Sequence, residues 1–322
     1  MTLAVLCLHL LVTGVLLPRR LAGSVRLQAR PAAGAALWLA LMASFTVALL
    51  LTAHHAVEPF AHRPAGLLGL LGLLDLLGLF GHPPHGEPAG PGLPHTHDWW
   101  LLTVGAALFA ALVTAVGLRT GRDRRRHRAV LDVVGVPDRR WDALVLEHGR
   151  PTVYCLPGRR SRVVLSRGAL RLLDERQLAA AVAHEHGHIR GRHHLFRLPA
   201  DTFALLLGPL PLARLGRSEV ALLLEMAADD AALERASRDE LASALCALAT
   251  SGPDPAAGAG GAGAGNGNGN GAGGALGVAS TGVLARVRRL ARPGSGRRRP
   301  VWRFGVSVLP LLPYLLVCAP HP

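Results

Sequence analysis

From Ala32 to Ala53 the chain carries no charged residue. A helix of that length is about 33 Å long, the thickness of a bilayer's hydrocarbon core. In lipid every backbone polar group needs an internal partner, so a run of this kind is helical and the chain around it is arranged about a membrane. Three further apolar segments join it. Leu3–Leu17 is short. Trp99–Leu118 opens on two adjacent tryptophans, as an interfacial anchor does. Val301–Ala319 holds Arg303 near one end, where a long side chain can snorkel, and Pro310 and Pro313 as kinks. The expected spans are therefore 3–17, 32–53, 99–118 and 301–319.

The first segment has no basic residue ahead of it, and Arg19 and Arg20 follow it. That order suits a retained anchor with its N-terminus outside, although a cleavable signal peptide is the other reading. Arginine then orients the remainder. Arg19, Arg20, Arg26 and Arg30 lie between the first two segments. "RTGRDRRRHR" follows the third and "GRRRP" precedes the fourth, whereas residues 54–98 hold one arginine against two Glu and two Asp. The positive-inside rule places region 119–300 in the cytoplasm of a bacterial cell, and loop 54–98 and both termini outside. Within that loop, "AGLLGLLGLLDLLGLFG" (65–81) is too short and broken to cross. It reads as re-entrant or interfacial. The seven histidines of loop 54–98 suggest either a metal or pH sensor or a solvated loop.

All thirty-five basic residues are arginine, and the formal charge is +14. Without lysine there is no Walker A loop, no Ser-x-x-Lys acylation site and no Schiff-base mechanism. The arginine runs flank spans, so the positive-inside rule accounts for them and no direct nucleic-acid binding is expected. The four cysteines are scattered, with no metal-binding spacing, and none stands near the cluster 184–194 in sequence.

Residues 119–250 are long enough for a domain. "PTVYCLPG" and "SRVVLS" read as adjacent strands, the second a candidate edge for an extended peptide. Asp174 and Gln177 form a capping box ahead of a helix ending near Gly191. A second helix begins after Ser218, and Ser237 with Glu240 caps a third. Leu198–Gly216 is apolar but contains Asp201, Pro209, Pro211 and Arg214. It reads as an interfacial helix. Residues 251–300 are a Gly/Ala linker and a basic stretch, "ARVRRLARPGSGRRRP", suited to anionic headgroups.

Five histidines lie in "AVAHEHGHIRGRHH", Ala181–His194. His184-Glu185-x-x-His188 on a helix puts the two histidines on one face, able to bind one Zn2+. Glu185 lies about 100° round, placed to move a proton. His186 points elsewhere. A catalytic zinc needs a third protein ligand. Glu225, in an alanine- and leucine-rich helix, is the candidate. Asp229, one turn on, is the candidate acceptor for a ligand histidine's other ring nitrogen, and Asp230 points away. His193 and His194 read either as a transition-state donor or as a solvated exit from the helix. If Leu198–Gly216 crossed the membrane once, His184 and Glu225 would be on opposite sides, so it must not cross.

The ordered set "YCLPGRRSRVVLSRGALRLLDERQLAAAVAHEHGHIRGRHH" and "EMAADDAA", framed by three spans before and one after, resembles the BlaR/MecR-type membrane zinc metallopeptidases. HtpX-type membrane proteases share a similar core. The resemblance covers nearly the whole architecture, with its motifs confined to Tyr154–Ala232. It implies an integral membrane α-helical protein with a cytoplasmic α+β zincin-like metallopeptidase domain. In it, His184, His188 and Glu225 would hold Zn2+, Glu185 would be the general base and Asp229 would match the second acidic position. Sensor members cut a cytosolic repressor, which implies a protein or peptide substrate. Here the sequence stops at Pro322 without the extracellular sensor domain of such members, so antibiotic sensing is not carried over. The alternative is a non-catalytic membrane sensor or scaffold that keeps the metal site.

Overall fold

The computed structural model of the protein describes residues 2–61, 99–158, 161–251, 282–292 and 312–313. Loop 62–98, with its 65–81 segment, linker 252–281 and all but two residues of the expected fourth span lie outside that set.

Helix α1 runs Thr2–Leu21, with a π-helical stretch at Val12–Leu16. A short α2, Val25–Gln28, leads into α3, Pro31–Ala61. Helix α4 spans Trp99–Val134. Among the described residues, Thr2–Leu21, Pro31–Ala56 and Thr103–Val134 are helices long and apolar enough to cross a membrane. Helix α4 does not stop at Leu118, as its apolar run suggests. Arginine is a good helix former, and the helix continues through the basic run. Between α1 and α3, buried His9 Nε2 lies 3.1 Å from Ser44 Oγ.

A four-stranded sheet follows: β1 Val136–Asp138, β2 Ala143–Leu146, β3 Val153–Leu156 and β4 Arg162–Ser166. The order is β1-β2-β4-β3, with β2 and β4 parallel and the other pairs antiparallel. The two expected strands do pair, Cys155 opposite Val163. The expectation that "SRVVLS" forms an open edge is corrected. That strand, β4, has a neighbour on each side, and its Val163, Val164 and Leu165 are buried. The open edge beside it is β3. Strands β1 and β2 are too short to show a period in the sequence.

Helix α5 is Arg167–Leu172. Helix α6, Glu175–Arg190, carries the Asp174/Gln177 capping box and ends at Gly191. Helices α7, His193–Leu207, and α8, Pro211–Ala232, form a hairpin. Helix α9, Arg238–Thr250, opens on the Ser237/Glu240 box, and α10 covers 282–290.

The α7–α8 hairpin corrects two expectations. The Leu198–Gly216 segment is not one interfacial helix, because the chain turns at Gly208–Leu210. The second helix does not begin after Ser218 but at Pro211, where proline's missing N–H and fixed φ suit a first helical turn. The hairpin packs lengthwise along α3. Near the start of α3, Gly34 meets Leu223; further along, Trp38 and Met42 meet Gly216; at Phe45, Phe203 packs edge-on with ring centroids 6.0 Å apart. From Gly34 to Phe45 is about 16 Å of helix rise. The hairpin therefore lies beside the apolar part of α3 rather than across its end. Trp38, Leu41, Phe203, Leu212, Leu223 and Met226 form this core. A second core joins the sheet to α6 and α9 through Val163, Leu165, Leu178, Val182 and Ala244.

Candidate metal centre

Helix α6 lies between the sheet and α8. The apolar positions Leu178 and Val182 face the sheet's core, and the 3.6-residue period turns His184 and His188 toward α8. Gly187 lets the two helices approach. A Cβ there would lie 3.0 Å from the Ala228 carbonyl oxygen and 3.1 Å from the Ala231 Cβ. At that separation Glu225 of α8 reaches both histidines.

His184 Nε2 and His188 Nε2 are 3.2 Å apart. Glu225 Oε2 is 3.4 Å from His184 Nε2, and Oε1 is 3.5 Å from His188 Nε2. These edges fit a divalent metal: ligand atoms at the corners of a tetrahedron with zinc's usual bond lengths are about 3.3 Å apart. Among the described residues, these three form a group whose donor atoms all lie within 4.8 Å of one another. Two imidazoles and a carboxylate are a donor set that zinc accepts.

Asp229 lies one turn beyond Glu225 and is fully buried. Its Oδ1 is 3.0 Å from His184 Nδ1. When that nitrogen carries the proton, Nε2 keeps its lone pair for a metal. Burial opposes charging His184, but Asp229 and Glu225 outweigh it and raise its pKa to about 9. Burial likewise opposes charge on Glu225, yet His184, His188 and Arg286 hold its carboxyl well below the usual range.

Arg286 was not visible as a site residue in the sequence. Within the stretch read as suited to lipid headgroups, Arg286 and Arg289 are buried against α8, and its remainder, 293–300, lies outside the described residues. Arg286 donates from Nε and Nη2 to the two oxygens of Asp229, at 2.9 and 2.6 Å, and from Nη1 to Glu225 Oε2 at 3.1 Å. Arg289 pairs with Asp230 at 2.7 Å and donates to the Gln28 carbonyl at 2.8 Å. Asp230 does point away from the histidines, and it has its own partner. The signal available was the i, i+3 spacing of Arg286 and Arg289 within "GVLARVRRLA", which matches two adjacent aspartates on a facing helix.

Glu185 is half-buried and outside the three-residue group. It faces Cys155 on β3. Burial and then the Glu185 carboxylate push the Cys155 thiol up. A cysteine therefore does stand near the site in space, thirty residues from Glu185 in sequence, because the edge strand packs on α6. His186 hydrogen-bonds the Val182 carbonyl at 2.9 Å, away from the group. His193 is not a solvated exit. Its Nδ1 is 2.9 Å from His188 Nδ1, and burial with the neighbouring His188 lowers its pKa to about 4. His194 is not brought into the group.

Residues 118–217 match the sequence profile of Peptidase family M48. The match takes in the sheet, α6 and α7 and ends eight residues before Glu225. It supports a metallopeptidase related to that family, whose members are metal-dependent, typically on zinc. No curated protein and no solved structure matches the chain.

Proposed function

We propose that the chain is an integral-membrane, zinc-dependent endopeptidase whose site faces the cytoplasm, with Glu185 as its general base. The observation that carries this reading is the convergence of His184, His188 and Glu225 from two helices at zinc-like spacing, with Glu185 one residue from a ligand and none of the three. His184, His188 and Glu225 would hold the ion, which when bound supplies Lewis acidity and makes water a nucleophile near neutral pH.

The chain's own residues do the rest. Glu185 takes a proton from the attacking water and returns it to the leaving amine. Asp229 fixes the His184 tautomer, and His193 orients the His188 ring through its other nitrogen. The free edge of β3 offers backbone groups to an extended substrate beside Glu185. The bilayer enters through the three apolar helices and the α7–α8 hairpin, with the metal group near the start of α3. The positive-inside pattern supports the cytoplasmic side. The substrate in this reading is a protein or peptide, with a cytosolic repressor the candidate that the resemblance to sensor-type peptidases supplies.

The test compares membrane proteomes of cells carrying wild type and Glu185→Gln, with zinc content measured on both purified proteins. The expected result is a substrate or self-fragment that depends on Glu185 while both proteins bind zinc. Equal proteomes with zinc bound in both would favour a non-catalytic scaffold instead.

A further inference from the structure

A cavity of about 440 Å³ opens beside Glu225. Its floor is one face of α8, including Leu222 and Glu225. Arg197 of α7 and Arg217 of α8 stand on one side, and Val283 and Arg286 of α10 on the other. Arg286 is committed to Asp229 and Glu225. The other two arginines are not matched in this way. Arg197 and Arg217 both direct Nε at one carboxylate, Asp201, at 3.4 and 2.8 Å. Two guanidinium groups share a single carboxylate here, so an excess of one positive charge remains at this end of the cavity, while at the other end Arg286 faces the two carboxylates of Glu225 and Asp229. A guanidinium has five N–H donors in a fixed fork. Using Nε on Asp201 leaves the outer nitrogens, and both side chains are about half exposed, at 52% and 58%. Leu222 and Val283 give the cavity part of its apolar lining.

We propose that this cavity receives a substrate side chain next to the scissile bond, and that Arg197 and Arg217 select a carboxylate there, Asp or Glu. The inference rests on the peptidase reading. A peptide occupant is favoured because the cavity wall includes the Glu225 carboxylate, so whatever fills it lies against the metal group. An anionic lipid headgroup would serve the same arginines without needing that position.

The experiment uses the full-length, zinc-loaded protein in nanodiscs and a peptide series identical except for Glu, Gln or Lys at each position flanking the cleaved bond. Wild type should cut the Glu peptide roughly fivefold faster in kcat/KM than the Gln peptide at one position, the scale of a partly exposed charge pair. Arg197→Gln and Arg217→Gln should reduce that ratio toward one, and Arg217→Glu should turn the preference toward Lys. A ratio taken within each variant cancels any loss of folded enzyme. Equal cleavage of Glu and Gln peptides by wild type, or an unchanged ratio in the variants, overturns the inference and leaves the peptidase reading standing. So does a rate that depends on both arginines and on anionic lipid but not on the peptide's charge. Failure of wild type to cut any peptide above the Glu185→Gln level defeats the peptidase reading itself.

Discussion

Arg286 and Asp229 face each other as a fork and a carboxylate, two hydrogen bonds at 2.9 and 2.6 Å joining residues fifty-seven apart in the chain. Both are buried, and Asp229 also accepts from His184. The pair neutralises what would otherwise be an isolated charge beside the candidate ligands. It also ties the far side of the Gly/Ala linker to the site.

Removing the cation should therefore cost more than a surface substitution. Arg286→Gln leaves Asp229 buried without its counter-charge, a loss of about 3–5 kcal/mol in comparable settings. Arg286→Lys should recover part of it, because an ammonium keeps the charge but cannot bind both oxygens in a fork. Denaturant unfolding of the detergent-solubilised protein measures this. An Arg286→Gln protein as stable as wild type would show that the fork is incidental.

Asp229 and Asp230 are adjacent but face different partners, and zinc affinity should separate them. Asp229→Asn weakens the acceptor that orients His184, and losses of about 10–100-fold in metal affinity are typical for such partners. Asp230→Asn disrupts the Arg289 contact on the other face of α8 and should leave zinc affinity near wild type. Competition with a zinc-binding dye reads both, and equal affinities for all three proteins would exclude an orienting role for Asp229.

How much of this could be read from the sequence depends on range. His184 and His188 were legible because a helix fixes i and i+4 on one face without reference to anything else. The caps at Asp174 and Ser237 were legible for the same reason. Glu225 was reachable because a zinc site lacking a third ligand prompts a search for one, and few carboxylates lie in apolar helices. Arg286 was not reachable, since its role exists only once α10 docks on α8 from beyond a long Gly/Ala linker. Cys155 was missed because a four-residue strand gives no indication of which helix it will cover. The α7–α8 hairpin was read as one helix because composition reports that a segment is apolar but not that it folds back along α3.

The contact between Cys155 and Glu185 gives a chemical readout of the carboxylate proposed as general base. Burial and the Glu185 charge both raise the thiol's pKa, so the thiolate is scarce in wild type. Glu185→Gln removes the second cause and leaves the first. Alkylation of Cys155 by iodoacetamide at mildly alkaline pH should then be faster in the variant, measured by mass spectrometry of the Cys155 peptide. Equal rates would place the thiol away from the carboxylate.

If the hairpin lies in the bilayer beside α3, its outward apolar residues face lipid. Leu195, Phe196, Leu205 and Leu206 of α7 are all exposed, apolar surface of the kind that marks a membrane or partner contact. A cysteine at Leu205 should resist a membrane-impermeant maleimide in intact vesicles and in inverted ones, and react only after detergent. A cysteine at exposed Arg235, past the end of α8, should react in inverted vesicles alone. Labelling at 205 without detergent would put the hairpin in water.

Gly187 tests whether helix separation builds the metal group. No side chain of any ligand would change in a Gly187 variant, so a loss of zinc must act through the backbone. In Gly187→Ala the added Cβ sits 3.0 Å from the Ala228 carbonyl and 3.1 Å from the Ala231 Cβ, and a shift of a few tenths of an ångström accommodates it. Gly187→Val adds two more carbons to the same contact, an overpacking that costs about 1–3 kcal/mol. The strain is relieved by moving α8 away from α6, which lengthens the Glu225 distances now at 3.4 and 3.5 Å while leaving the His184–His188 edge, internal to α6, at 3.2 Å. Zinc affinity should fall slightly in the alanine variant and by roughly tenfold or more in the valine variant, equivalent to about 1.4 kcal/mol, with helix content by circular dichroism unchanged in both. Losing the same affinity in both variants would mean that α6 itself, rather than its approach to α8, had been disturbed.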